Sequence, residues 1–374
     1  MKERMLHTSR VANIEPDPQL WLSGEPELYS LDLAKTESPS KLIDTREMSL
    51  WRYRSVLPFE DGFDGWRDVT LGEGATPLVC GGREYGSLKF KVEYAMPTLS
   101  FKDRGAAVFF AKAVEWGVKS VVADSSGNAG TAIAAFAART GIQCDVFVPA
   151  YVSTGKLAQM RSHGANVHLV DGPRSAATDA AKAFARSHRR FYASHVYNPY
   201  FFEGTKTMAY EIWEQLGFKT PGHLVLPVGH GTMFLGAYIG FKEIFDSGLS
   251  QSMPKIHAVQ AAACAPIVTA FDSGSDHVDR FDDSPTCAEG ISINSPPRGA
   301  QILEALHSTS GSGIRVTDDE ILAAKKELSG FGYYVETTAA AAFAAYLKAR
   351  KSLEVDGGTV IVPLCGSGLK SPDY

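Results

Sequence analysis

From Leu88 onward the chain alternates short apolar segments with helical ones, and this alternation constrains the fold more than any other feature. Strand-like segments fall at Leu88–Val92, Lys119–Asp124, Cys144–Pro149, Asn166–Val170, His223–Pro227, Lys255–Gln260 and Gly358–Leu364. Helix-like runs lie between or after them at Ala106–Trp116, Thr131–Thr140, Thr154–Ser162, Arg174–Arg186, Thr232–Phe245, Asp318–Leu328 and Thr337–Lys351. Repeated βα units need crossover connections, which make parallel sheets with both faces covered by helices. The expected class is α/β, with two open three-layer αβα domains and parallel-rich sheets. Residues 1–45, rich in Pro, Ser, Glu and Asp, read as an irregular arm, and Trp51–Pro58 as a short helix. The periodicity fades between Ala261 and Arg315 into what read as long edge loops.

Composition excludes several function classes. The 374 residues are 44% hydrophobic and 21% charged, ordinary for a globular chain of one large or two smaller domains. A net charge of −5, with Lys and Arg spread along the chain, offers no basic stripe for nucleic acid. No apolar run reaches the length of a membrane span, and the start lacks the apolar core of a secretory signal. Cys80, Cys144, Cys264, Cys287 and Cys365 are odd in number and contain no C-x-x-C pair, so neither a disulfide framework nor a zinc ribbon is expected. The expected compartment is the reducing cytoplasm.

Chemistry concentrates where strands meet helices. Lys102 stands at such a junction, between Phe101 and the pair Asp103-Arg104. An ammonium there is either paired, with Asp103 or a nearby carboxylate, or partly desolvated and usable as a nucleophile. Three small-residue loops also follow strands, the position at which α/β folds gather ligands. Ser125-Ser-Gly-Asn-Ala-Gly-Thr131 is rich in donors suited to a carboxylate, or is simply a well-capped helix start. Val228-Gly-His-Gly-Thr-Met233 lets backbone amides approach a phosphate, yet it is neither a Walker A loop nor a dinucleotide fingerprint. In Pro363-Leu-Cys-Gly-Ser-Gly-Leu-Lys370, Cys365 or Ser367 can face a ligand nitrogen, and Cys365 can equally be a small buried residue. A nucleophilic lysine, a phosphate cradle, a carboxylate pocket and a polar contact together suit pyridoxal 5'-phosphate acting on an amino acid.

The ordered motifs Trp51-Arg-Tyr-Arg, Gly72-Glu-Gly-x-Thr-Pro-Leu, Ser100-Phe-Lys-Asp-Arg-Gly, Ser125-Ser-Gly-Asn-Ala-Gly, Asn198-Pro-Tyr, Glu203-Gly-Thr-Lys-Thr, Ala288-Glu-Gly-Ile, Val335-Glu and Gly366-Ser-Gly-Leu-Lys run from Trp51 to Lys370. In this order they resemble the threonine synthase-like members of the tryptophan synthase β group, the fold type II pyridoxal-phosphate enzymes. The resemblance implies Lys102 as the Schiff-base lysine and proton shuttle. It places Asn128 at the cofactor's phenolic oxygen, and Ser125, Ser126, Gly127 and Asn128 at the substrate carboxylate. It also implies that Gly229, His230, Gly231, Thr232 and Met233 hold the cofactor phosphate and that Cys365 meets the ring nitrogen. The implied organisation is an arm over 1–50, a large cofactor-binding domain over 51–97 and 198–374, and a smaller mobile domain over 98–197, in a homodimer.

Departures from the motifs bear on the substrate. Phe201 stands where threonine synthases carry an arginine for the phosphate of phosphohomoserine, and Val196 stands for a nearby serine. Leu99 replaces a glycine, and His230 a frequent asparagine. His195 or His230 is either an acid for a leaving group or structural. The expected function is elimination or replacement at Cβ or Cγ of a non-phosphorylated amino acid, a lyase-type activity, with Phe201 lining the substrate site. The alternatives are an authentic threonine synthase and a non-catalytic binding module.

Overall fold

The computed structural model describes residues 3–7, 13–14, 17–22, 28–33, 42–60, 62–150 and 154–371. In chain order it begins with strands β1 (Glu3–His7), β2 (Asn13–Ile14) and β3 (Tyr29–Leu33), and continues with β4 (Leu78–Cys80) and β5 (Leu88–Lys91). Helix α1 (Lys102–Glu115), β6 (Ser120–Ala123), α2 (Asn128–Thr140), β7 (Gln143–Pro149), α3 (Thr154–Ser162), β8 (Asn166–Val170), α4 (Arg174–His188) and β9 (Phe191–Tyr192) follow as βα repeats. After α5 (Pro199–Gln215) come β10 (His223–Pro227), α6 (Thr232–Asp246), β11 (Lys255–Ala261), α7 (Pro266–Asp272), α8 (Gly299–Ser308), β12 (Gly313–Val316), α9 (Asp318–Gly330), α10 (Thr337–Asp356) and β13 (Val360–Pro363).

The chain divides into two compact units, residues 1–74 with 96–205 and residues 75–95 with 206–374. The first unit contains a four-stranded parallel sheet of order β8-β7-β6-β9. Its core joins the Ala- and Phe-rich helix α1 to α2 and to the inner faces of β6 and β7. The N-terminal segment is less irregular than expected, since β1 pairs antiparallel with both β2 and β3. Much of residues 1–50 lies outside the described residues. Trp21 is anchored in the core edge-on to Tyr29 and beside Phe191. The expected short helix is a 3-10 helix over Leu50–Val56, begun by the Ser49 hydroxyl accepting from Trp51 N–H.

The second unit contains a six-stranded sheet of order β12-β11-β10-β13-β5-β4, parallel except for the edge strand β4. A buried ion pair fastens its 75–95 segment to α5. Lys91 Nζ lies 2.5 Å from Glu211 Oε1, which also accepts from Thr76 N–H at 2.7 Å. Thr76 Oγ1 reaches Glu93 at 2.7 Å, and Lys91 additionally donates to the Thr76 carbonyl. A buried charge survives only when paired and hydrogen-bonded in this way. The Thr-Pro of the Gly72–Leu78 motif is thus a clasp. The expected edge loops between Ala261 and Arg315 contain α7, α8 and the short strand β12. Each of these elements is ten residues or fewer, too short for a helical period to stand out.

At the amino-terminal ends of β10 and β11, opposite the loops, His223 Nδ1 meets His257 Nε2 at 3.0 Å and His257 Nδ1 meets Ser312 Oγ at 2.8 Å. His223 Nε2 faces Asp356, which Lys255 holds at 2.5 Å. One nitrogen of the shared contact must be bare, so at least one of the two rings is neutral. Burial leads in holding both imidazoles below the ordinary histidine range, His257 at about 4; the neighbouring His223 ring adds to this, and Asp356 opposes it. Between about 4 and the ordinary 6.5 the folded chain therefore binds fewer protons here than the unfolded one. Stability is complete above that window and is lost as pH falls through it, by on the order of 2–4 kcal/mol. Urea melts at pH 7 and pH 4.5 should show His257→Gln losing less stability on acidification than the wild type. Equal losses would assign the acid sensitivity to other groups.

Candidate active site

In the first unit Lys102 opens α1. The turn before it is closed by Asp103, whose Oδ2 accepts from Thr98 N–H at 2.6 Å and whose Oδ1 accepts from the Thr98 hydroxyl. Leu99, within this turn, has φ +64, a left-handed conformation that costs a branched residue about 1–2 kcal/mol. A glycine would take it without strain, which explains why this position usually carries one. Lys102 Nζ lies 4.6 Å from the centroid of the Phe101 ring and 5.8 Å from that of Phe201. Phe201 is buried beside the first turn of α5, with His195 edge-on at 5.9 Å. Gly105, one turn past Lys102, makes this possible: a Cβ there would sit 2.2 Å from the Phe201 ring. The structure therefore brings Lys102, Phe201 and His195 into one cluster.

The Ser125–Asn128 loop joins β6 to α2. Ser125 Oγ accepts from Gly127 N–H, and no side chain caps the helix at Gly127, which leaves amides of the first turn of α2 without a side-chain cap. Asp124, just before it, accepts from the Thr178 hydroxyl of α4 at 2.7 Å. Glu73, of the Gly72–Leu78 motif, accepts from Trp51 Nε1–H and Leu71 N–H, both at 2.8 Å. Burial pushes its carboxyl up to about 7 against those donors, and the charge of Asp103 adds to the rise.

In the second unit the strand order settles the neighbourhood. β10 and β13 are parallel partners, so the loop after each emerges at the same carboxyl edge. Gly229–Met233 and Cys365 are thereby brought together at one end of one sheet. Gly231, at φ +83, begins α6 without a side-chain cap, leaving a helix start whose amides suit an anion. Thr232 and Met233 are buried and His230 is partly buried at this start. Cys365 is buried.

These features fit pyridoxal 5'-phosphate. The uncapped α6 start with its flanking glycines suits an anionic group such as a phosphate. In the other unit Ser100 is fully buried, and its Oγ has no hydrogen-bond partner among the described residues, two positions from Lys102. A hydroxyl left so is costly unless a bound group completes it.

Residues 69–366 match the model of the pyridoxal-phosphate dependent enzyme family. The chain belongs to this family. Threonine synthase of Methanocaldococcus jannaschii is 36% identical over 354 residues, 92% of this chain and 86% of the relative. That of Mycobacterium tuberculosis is 35% identical over 328 residues, 86% and 88% of the two chains. Among solved structures, threonine deaminase isoform 2 from Solanum lycopersicum shares the fold with a TM-score of 0.70 at 21% identity, covering 92% of this chain and 94% of that one. The enzyme uses pyridoxal 5'-phosphate, has the fold type II α/β architecture, and is a lyase of the elimination or replacement class. Among the described residues no helix is long and apolar enough to cross a membrane, and no cluster of metal-ligating side chains occurs.

Ser100 and Gly105 carried no role in the sequence reading. Their signal was present, since both belong to the motif around Lys102, but burial and ring packing across 96 residues are invisible in a linear string. Gly105→Ala should destabilise the enzyme by about 1–3 kcal/mol through overpacking against Phe201. Phe201→Leu in the same chain should recover part of that loss in urea melts. Strictly additive effects of the two changes would show that the ring and the glycine are not coupled.

Proposed function

We propose that the enzyme eliminates or replaces a group at Cβ or Cγ of a small amino acid, and that this group is not a phosphate. The observation that carries the proposal is the Phe201 ring beside Lys102 Nζ. A guanidinium at this position would grip a phosphate through two parallel hydrogen bonds. An aromatic face offers an anion no donor and strips its water, so it suits an uncharged leaving group.

The roles of the remaining residues follow from their places. Lys102 is the covalent attachment point of the cofactor and carries the proton to and from the substrate α-carbon. The rings of Phe101 and Phe201 flank its Nζ at 4.6 and 5.8 Å and give the half-buried side chain an aromatic surround. Ser125, Ser126 and Gly127 hold the substrate carboxylate at the start of α2, and Asn128 donates to the cofactor's phenolic oxygen. Amides from Gly229 to Met233, with the Thr232 hydroxyl, hold the cofactor phosphate. Cys365 meets the ring nitrogen as a neutral group. The bound cofactor supplies an electron-withdrawing ring conjugated to the substrate amine, which weakens the bonds at the α-carbon. The five free cysteines are compatible with a reducing cytoplasm as its compartment.

A second reading, authentic threonine synthase acting on O-phosphohomoserine, is favoured by the names of the relatives, several of which are threonine synthases at 34–36% identity. Phosphate release from O-phosphohomoserine, set against turnover of non-phosphorylated amino acids, separates the two. The wild type should process O-phosphohomoserine about 10–100-fold less well in kcat/KM than its best uncharged substrate, the scale of a lost pair of charged hydrogen bonds. Phe201→Arg should narrow that gap, and Lys102→Ala should abolish turnover of every substrate. O-phosphohomoserine as the preferred wild-type substrate would establish the second reading.

A further inference from the structure

Two motifs, Ala288-Glu-Gly-Ile291 and Val335-Glu336, take no part in the roles above. They converge on the first residues of α10 in the second unit. The Thr338 hydroxyl accepts from Gly290 N–H at 3.1 Å, and the Thr337 hydroxyl donates to the Cys287 carbonyl at 2.6 Å. Segment 287–290 is therefore strapped to the helix start at two points. It in turn supports the loop after β10. A Cβ on Gly229 would stand 2.8 Å from the Gly290 carbonyl oxygen, so the two backbones are in direct contact.

The same helix start holds the loop after β13. Glu336 N–H donates to the Gly366 carbonyl at 3.1 Å, and Val335 forms an antiparallel bridge with Ser367. The Glu336 side chain lies flat on Gly366, where a Cβ would come within 2.1 Å of Oε1. Glu336, Thr337 and Thr338 are all buried. Three consecutive residues thus bear on both loops that the cofactor reading needs: Glu336 directly at Gly366, next to Cys365, and Thr337 and Thr338 through segment 287–290, whose Gly290 meets Gly229.

We propose that Glu336, Thr337 and Thr338 are positioning residues for the cofactor, holding the loop at its phosphate and the loop at its ring nitrogen at a fixed spacing. Neither threonine hydroxyl reaches either loop directly. Their effect passes through segment 287–290, and that of Glu336 through Gly366. The spacing matters because only one methylene and one ester oxygen join the cofactor's ring to its phosphorus, which caps its reach, so loops that drift apart cannot both stay in contact with it. The proposal rests on assigning Gly229–Met233 to the phosphate and Cys365 to the ring nitrogen.

Cofactor dissociation from the holoenzyme, measured by equilibrium dialysis, and the phosphorus-31 shift of the bound phosphate test it without reference to activity. Thr338→Val should raise the dissociation constant about tenfold, the scale of one buried hydrogen bond left unmade, and move the phosphorus resonance. Thr338→Ser keeps the hydroxyl and should stay within about twofold of wild type on the same scale. Thr337→Val is an independent variant with the same expected direction, should Thr338→Val fail to fold. Glu336→Ala should shift the visible band of the bound cofactor, and Glu336→Gln, which keeps the shape over Gly366, should not. Thr232→Val tests the underlying assignment. If it weakens cofactor binding while Thr338→Val and Thr337→Val leave affinity and phosphorus shift unchanged, the positioning role is overturned. If Thr232→Val has no effect either, the assignment of the phosphate loop falls, and the proposal with it.

Discussion

Parallel pairing of β13 between β10 and β5 is the constraint on which the chemistry of the second unit depends. Because all three strands run the same way, the segments following them, 228–233, 364–370 and 92–95, emerge at one edge of the sheet. Tyr94 N–H donates to the Leu364 carbonyl and Leu364 N–H to the Lys91 carbonyl, which extends the pairing one step beyond the strands. An antiparallel β13 would send the Cys365 loop to the opposite edge, among His223 and His257. The crossover connections that parallel pairing demands also supply α6, whose uncapped start lies at this edge and is the phosphate cradle proposed above.

The polar groups buried in this unit divide by edge. At the amino-terminal edge the two histidines are neutral and satisfied by one another, by Ser312 and by Asp356, so they stabilise without offering a site. The Lys91–Glu211 pair does the same for the 75–95 segment, with its remaining donors taken by Thr76 and Gln215. At the carboxyl edge the helix start at Gly231 has no such side-chain partner. In the first unit, Ser100 Oγ is likewise left without one. Satisfied polar groups support the scaffold, while an uncapped helix start and a buried hydroxyl such as that of Ser100 leave room for a bound group to complete them.

How much of this was legible in the sequence depended on the range of the interaction. The βα repeat was legible because burial on both faces writes apolar runs directly into the chain. Lys102 and the three loops were legible because a strand-to-helix junction is a local signal. The two-residue strand β9 and helices α7 and α8 were not, since elements so short carry fewer than three periods. The N-terminal sheet escaped because β1–β3 owe their pairing to each other rather than to an alternating pattern. The site showed the same limit. Phe201 was singled out as an odd residue in a motif, but its seat over Gly105 and beside Lys102 joins positions about a hundred residues apart. Glu336 and Thr338 were visible as letters of a motif and alanine-rich helix start, with nothing in their local sequence to say which loops they hold.

That difference in range separates reaction class from substrate. The loops proposed for the phosphate and the ring nitrogen present mainly backbone, shaped by Gly229, Gly231 and Gly366 and by a helix start. A residue such as Phe201 contributes only its side chain, above a glycine that leaves room for a ring. Replacing it alters what the site can hold without moving the backbone that carries the chemistry. The Leu99 turn runs the other way: it accepts left-handed strain next to Lys102 where a glycine would be relaxed. Strain of this size persists only where the surrounding contacts over-determine it. Here the closing bond between Asp103 and Thr98 spans the turn and holds Leu99 in place. A branched side chain has therefore been fixed two residues from Phe101 and three from Lys102, on the segment that also carries the buried Ser100 hydroxyl. Where the resemblance leads one to expect a glycine and an arginine, this chain carries Leu99 and Phe201, both apolar side chains near Lys102.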